Sequence, residues 1–152
     1  MAGRKIASSK RMIKPIRKPI SDLLITSIKF DPKGKYLAVG TTSGVVKILD
    51  GTKLEEIQTF QPRKDCIVNI DWSHDSLYFA CSDSGNHVQI YKWDHRDEDE
   101  RKPIEWIYIG RYKSHKDNVV SVQFGVTPFG NTPRLISVGE DKRLVEYDLQ
   151  DS

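Results

Sequence analysis

Sulfur is scarce in this chain of 152 residues, which has two cysteines and two methionines. Two cysteines are too few for the disulfide framework of a small secreted domain, so the expected compartment is reducing and intracellular. Cys66 and Cys81 both fall in alternating apolar stretches, where a buried free thiol is the ordinary outcome; a bridge between them in adjacent strands stays open. With His74 and His87 they do not match zinc-ligand spacing, and neither a metal nor another cofactor is expected. No apolar run is long enough for a signal segment or a membrane-spanning helix. Phosphate-cradling glycine loops are missing, since Gly34, Gly40 and Gly44 read as turn glycines between strands. The histidines, His74, His87, His95 and His115, do not stand with a serine or cysteine in a nucleophile arrangement. An enzyme is not expected.

Acids are absent from residues 1–20, which hold Arg4, Lys5, Lys10, Arg11, Lys14, Arg17 and Lys18. The whole chain carries +3, so the body is mildly acidic. A basic arm on an acidic body suits an anionic surface such as nucleic acid, an acidic lipid face or tubulin, or is a solvated flexible leader. A third reading makes Met12, Ile13, Ile16 and Ile20 the edge of a strand. Pro15 and Pro19 argue against a helix and against a central strand. The run Asp97-Glu98-Asp99-Glu100, flanked by Arg96, Arg101 and Lys102, reads as a solvated hairpin loop.

What is present is a pattern that returns three times, over residues 25–50, 66–93 and 118–148. In the first copy Thr26-Ser27-Ile28-Lys29-Phe30 alternates as a half-buried strand does. Asp31-Pro32-Lys33-Gly34 is a turn, Tyr36-Leu37-Ala38-Val39 a second strand, Thr41-Thr42-Ser43-Gly44 a tight turn, and Val45-Val46-Lys47-Ile48-Leu49-Asp50 a third strand. Residues 54–60 and 104–112 supply fourth strands in the first two copies. Leu49, Tyr91 and Tyr147 align, at steps of 42 and 56 residues. Repeats at this period are the signature of propeller blades. The predicted fold is all-β, with about three four-stranded antiparallel blades over 23–60, 64–112 and 113–149 within residues 21–152, behind a leader at 1–20. Propellers take ~4–8 blades. Three blades therefore imply a piece of a longer propeller, closure by self-association, or blades supplied by a partner. The chain stops just after a third strand, which favours the piece.

The third copy carries the sharpest signature: His115, Ser137, Asp141, then Tyr147-Asp148, with Ser137 four residues before Asp141 and Asp141 six before Tyr147. On these residues the chain resembles the WD-repeat (WD40) family. The resemblance implies a structural hydrogen-bonded relay of His115, Ser137, Asp141 and Tyr147 rather than a catalytic site. The first two copies depart from it: Val39 and Ser43, then Cys81 and Gly85, stand at the serine and aspartate positions. These blades are expected to rely on apolar packing through Ile28, Phe30, Leu37, Val39, Val68, Ile70, Trp72, Val88 and Ile90.

Strand connections in such blades alternate between two rims. One rim gathers the cations Arg63, Lys64, Lys113, Lys116, Lys142 and Arg143 beside Asp83 and His115. The other takes the loops at 31–34, 73–76, 94–103 and 127–133. The basic rim is the candidate partner-binding surface. Within the family, Ile109-Gly110-Arg111-Tyr112-Lys113-Ser114-His115, Phe124-Gly125-Val126 and residues 133–149 are similar to the cilia- and flagella-associated WD-repeat members of the radial-spoke base, in the calmodulin- and spoke-associated complex. That resemblance implies a non-catalytic scaffold of the cytoskeleton, in the axoneme of a cilium or flagellum. Its partners would be radial-spoke, calmodulin-associated or tubulin subunits, with no membrane. The alternative is a subunit of another intracellular complex, including one that handles nucleic acid. The chain lacks the interleaved basic and aromatic surface of an RNA-binding motif, which disfavours nucleic acid.

Overall fold

The computed structural model describes residues 13–94 and 106–150. It contains three antiparallel sheets joined in series. The first runs β1 (Ile25–Phe30), β2 (Tyr36–Thr41), β3 (Val46–Asp50) and β4 (Glu56–Phe60). The second runs β5 (Ile67–Trp72), β6 (Tyr78–Asp83), β7 (Val88–Trp93) and β8 (Trp106–Tyr112). The third holds β9 (Val119–Val126), β10 (Pro133–Gly139) and β11 (Leu144–Tyr147). Each strand pairs with the next in sequence, so every sheet is a meander. Among the described residues there is no helix, and so none that could cross a membrane.

The sheets stack because each strand pattern makes one apolar face toward the preceding blade and another toward the following one. Ala38, Val46 and Ile48 of blade one meet Ile67, Ile70, Trp72, Phe79, Cys81, Tyr91 and Trp106 of blade two. The aromatic rings interlock, with Phe79 and Tyr91 stacked at 4.4 Å and Trp72 edge-on to Trp106 at 5.2 Å. Tyr78, Ala80, Val88 and Ile90 of blade two meet Val119, Val122 and Leu135 of blade three. A small outer cluster, Leu37, Val39 and Leu49 with Ile20 and Leu54, lies on the far face of blade one.

Side chains also stitch one blade to the backbone of the next. Thr26 Oγ1 donates to the Ile67 carbonyl at 2.6 Å, and Trp72 Nε1 to the Lys29 carbonyl at 2.9 Å. Asp71 accepts the Phe124 amide at 2.7 Å. Gln58 on β4 takes the Trp106 amide and gives its own NH₂ to the Trp106 carbonyl, both at 2.9 Å. In the turns that follow β1 and β5, Ser76 Oγ donates to buried Asp31 at 2.7 Å.

Three expectations need correction. Ile28, Phe30 and Val68 are not core, at 60%, 49% and 45% exposure: the face of β1 that bears Ile28 and Phe30 has no blade beyond it among the described residues, and Val68 sits at the register shift between Ile67 and Asn69. Residues 13–20 form no strand; Ile20 docks on Leu37, Val39 and Leu49, and Lys18 Nζ donates to the Lys53 carbonyl at 2.7 Å. Blade two is not held by apolar packing alone, as its tight turn shows below. The acidic run at 97–100 and His95 lie outside the described residues.

Candidate functional site

The turns joining the second and third strands, and the links between blades, fall at one end of all three sheets. This end carries both the polar anchors and the cations.

In blade three the turn Gly139-Glu140-Asp141-Lys142-Arg143 and the link before β9 bring His115 and Asp141 together. His115 Nδ1 lies 2.9 Å from Asp141 Oδ1, His115 Nε2 2.7 Å from Ser137 Oγ, and Ser137 Oγ 2.9 Å from the Tyr147 hydroxyl. An ionised carboxylate only accepts, so the proton between His115 and Asp141 sits on Nδ1. With the ring carrying its proton on Nδ1 alone, Nε2 accepts from Ser137, whose oxygen then accepts from Tyr147. All donors run one way, toward Asp141. Its carboxylate also accepts the amides of Lys116 at 3.1 Å and Arg143 at 3.2 Å. Desolvation works to raise its pKa, but the hydrogen bonds from His115, Lys116 and Arg143 outweigh it and hold the carboxyl below its usual range. Gly139 is required here, because a Cβ at that position would lie 2.5 Å from His115 Nδ1 and 2.7 Å from Asp141 Oδ1.

Blade two builds a different lock from the same turn. Asp83 stands where Gly139 does, and Gly85 where Asp141 does. The buried Asp83 carboxylate accepts the amides of Gly85 and His87 at 2.9 and 3.1 Å, and the Gln89 NH₂ at 2.9 Å. Gln89 Oε1 in turn accepts the Tyr91 hydroxyl at 2.9 Å and the Cys81 thiol at 3.5 Å. Burial pushes both Tyr91 and Cys81 up, so neither ionises at neutral pH. The Cys81 thiol is inert packing, and both cysteines are free. Sequence spacing missed this lock because the acid had moved two places along the turn. The available signal was the polar Gln89, two residues before Tyr91, in an otherwise apolar strand.

Blade one has neither lock. Thr41 closes its turn by exchanging two hydrogen bonds with Val45, and Gly44 holds φ +80. The same turn position is Asn86 in blade two and Lys142 in blade three, at φ +67 and +65. A Cβ at Gly44 would come within 2.2 Å of the Arg63 carbonyl, so glycine also lets the blade-two link pass close.

The rim cations separate into two groups. Arg63 is engaged, its Nε 2.6 Å from Asp65 Oδ2, and the guanidinium holds the Asp65 carboxyl below its usual range. Lys64 beside it is exposed. Lys116, Lys142 and Arg143 are exposed around Asp141, and Lys113 is exposed at the head of the same link. Asp65, Asp83 and His87 place three metal-capable atoms within 4.8 Å of one another. Their carboxylates already accept from Arg63, Gly85, His87 and Gln89, so the group is a polar anchor.

Three meandering sheets in series, joined outer strand to inner and pinned at the tight turn by a histidine–aspartate–serine–tyrosine relay, are the architecture of WD-repeat β-propeller blades. Residues 7–75 match the family model of the anaphase-promoting complex subunit 4 WD40 domain. Within the class, it is related to cilia- and flagella-associated protein 251. It is 35% identical to that protein of Pongo abelii over 127 residues, which is 82% of this chain and 11% of the relative. For Chlamydomonas reinhardtii the identity is 31% over 122 residues, covering 80% of this chain and 14% of the relative. For Tetrahymena thermophila it is 30% over 133 residues, covering 80% and 13%. The chain thus spans little more than a tenth of the length of these relatives. The folded part is a scaffold-type unit in which the polar clusters around Asp141 and Asp83 anchor tight turns.

Proposed function

We propose that this chain is a non-catalytic scaffold of the ciliary or flagellar axoneme that helps anchor radial spokes to doublet microtubules. The observation that carries this reading is identity of 30–35% over about four-fifths of the chain to proteins named for cilia and flagella in an ape, an alga and a ciliate. The exposed rim cations Lys64, Lys113, Lys116, Lys142 and Arg143 are the surface offered to an acidic segment, of which tubulin is one source; Arg63 is already paired and contributes less. Such a rim acts mainly on encounter rate and salt dependence.

The test is co-sedimentation with purified doublet microtubules over a salt series, comparing the chain with a Lys64→Glu, Lys116→Glu, Arg143→Glu variant. Native binding should weaken as salt rises, and the variant should lose most of it at low salt. Equal binding by both proteins at every salt concentration removes the rim from the proposal, and no binding by either removes the microtubule. A second reading, a WD-repeat subunit of another complex, is favoured by the match to the anaphase-promoting complex subunit 4 model over residues 7–75. It predicts no doublet binding and a different set of captured proteins.

A further inference from the structure

The turns that join first strand to second, and third to fourth, fall at the end of the sheets away from the rim. In blade one two of these turns are tied together. The Gly51 amide donates to the Lys35 carbonyl at 2.8 Å. A Cβ at Gly51 would lie 2.1 Å from the Gly34 carbonyl oxygen, so glycine is what lets the two turns close on each other. Their tips, Pro32-Lys33-Gly34-Lys35 and Gly51-Thr52-Lys53, carry three cations and no acid, and all three lysines are exposed. Lys18 Nζ, 2.7 Å from the Lys53 carbonyl, brings another ammonium group beside them.

The acids at the base of the tips are spent on backbone and hydroxyl donors. Asp31 is buried and accepts the Tyr36 amide at 2.7 Å, the Lys33 amide at 3.3 Å and the Ser76 hydroxyl. Asp50 Oδ1 accepts the Lys53 and Thr52 amides at 2.7 and 2.9 Å. Among the described residues Lys33, Lys35 and Lys53 form no ion pair with a carboxylate, and Lys35 lies over the Tyr36 ring at 5.4 Å. The gathering is local to blade one. The corresponding first turns, 73–77 in blade two and 127–132 in blade three, hold no lysine or arginine. The exposed rim cations Lys64, Lys113, Lys116, Lys142 and Arg143 belong to the links and turns of blades two and three, at the other end.

The chemistry of the tips narrows what they fit. Ammonium groups on flexible stems meet single carboxylates well and lack the planar fork that grips phosphate at two points. The ring beside the tips, Tyr36, packs against Trp72 and Trp106 at 6.2 and 5.8 Å beneath Lys35, so no platform is left for a nucleic-acid base. The tips also carry no large apolar side chain to enter a bilayer. We propose that the two hairpin tips of blade one form a second docking surface, at the end opposite the rim, for an acidic peptide segment of a protein partner. With the rim, it gives one chain two anion-binding ends that hold two acidic segments apart. The surface does not depend on the partner being ciliary.

The test is fluorescence anisotropy of a labelled oligoglutamate peptide with the full chain over a salt series. The rim is silenced first, by Lys64→Glu, Lys116→Glu and Arg143→Glu. That chain should still bind the peptide at low salt. Adding Lys33→Glu, Lys35→Glu and Lys53→Glu should weaken the remaining binding about tenfold or more, while the same charge change in the leader, Lys5→Glu, Lys10→Glu and Arg11→Glu, should weaken it less than about threefold. Gly51→Ala keeps every charge but parts the tips, and should weaken it too. Circular dichroism of each variant checks that the blades persist. No binding by the rim-silenced chain, equal losses from the tip and leader changes, or undiminished binding by Gly51→Ala overturns the proposal. Tighter tip-dependent binding of a single-stranded oligonucleotide, or of phosphatidylserine vesicles, overturns the acidic peptide as the occupant.

Discussion

At the scale of single residues, the relay in blade three is a chain of four groups in which each donor has one acceptor. Ser137→Ala removes the middle member and leaves buried His115 Nε2 without its donor and the Tyr147 hydroxyl without its acceptor. Stranding such groups costs about 1–3 kcal/mol, which should appear as a lower denaturation midpoint with an unchanged slope. Asp141 makes the turn sensitive to acid. Its folded pKa lies below the ordinary value of 3.8, so the folded state favours the ionised form. The stability it adds is complete above that ordinary value and is lost as the pH falls through the depressed one. Thermal melts from pH 6 to pH 2 should show a decline below about pH 4 that is shallower in Asp141→Asn. The residues of this relay were legible in the sequence, because His115, Ser137, Asp141 and Tyr147 keep a recognisable spacing. The blade-two lock was not, because its meaning depends on which turn position holds the acid and which the glycine. Only the fold shows that Asp83 and Gly139 occupy equivalent places.

At the scale of elements, the strands could be read from alternation and turn residues, and their observed bounds follow the expected ones closely. The direction each face points could not. Ile28, Phe30 and Val68 alternate as core residues do, yet they lie exposed. Alternation shows that a strand has an apolar face, while burial requires something opposite it. The stitches between blades were equally hidden, since Gln58, Asp71 and Thr26 look like surface residues until the next sheet arrives. Close approach also depends on Gly40, where a Cβ would lie 2.4 Å from Ile67 Cγ2 and 2.7 Å from Ser27 Oγ. Gly40→Ala should therefore push blades one and two apart and cost about 1–3 kcal/mol, as overpacking does. The checkable signs are a lower melting temperature and a red shift in tryptophan fluorescence as Trp72 and Trp106 gain water.

At the scale of the whole molecule, the three blades are not equally secured. Blade two is covered on both faces and carries eleven buried aromatic, aliphatic and thiol side chains in the two shared clusters, whereas among the described residues blade three has one covered face and one unpaired strand edge. Local opening should follow that gradient. Amide hydrogen exchange should release β11 first, β9 and β10 next, and β6 and β7 last; uniform protection across the sheets would contradict this picture. The exchanged positions of acid and glycine in the tight turns have a further consequence. Tandem siblings this alike risk mistaken partnership while they condense, a known hazard of repeated architectures. Here an exchanged turn would set Asp141 beside Asp83, or drive a Cβ into the imidazole of His115, so each repeat recognises its own place and rejects its neighbour's.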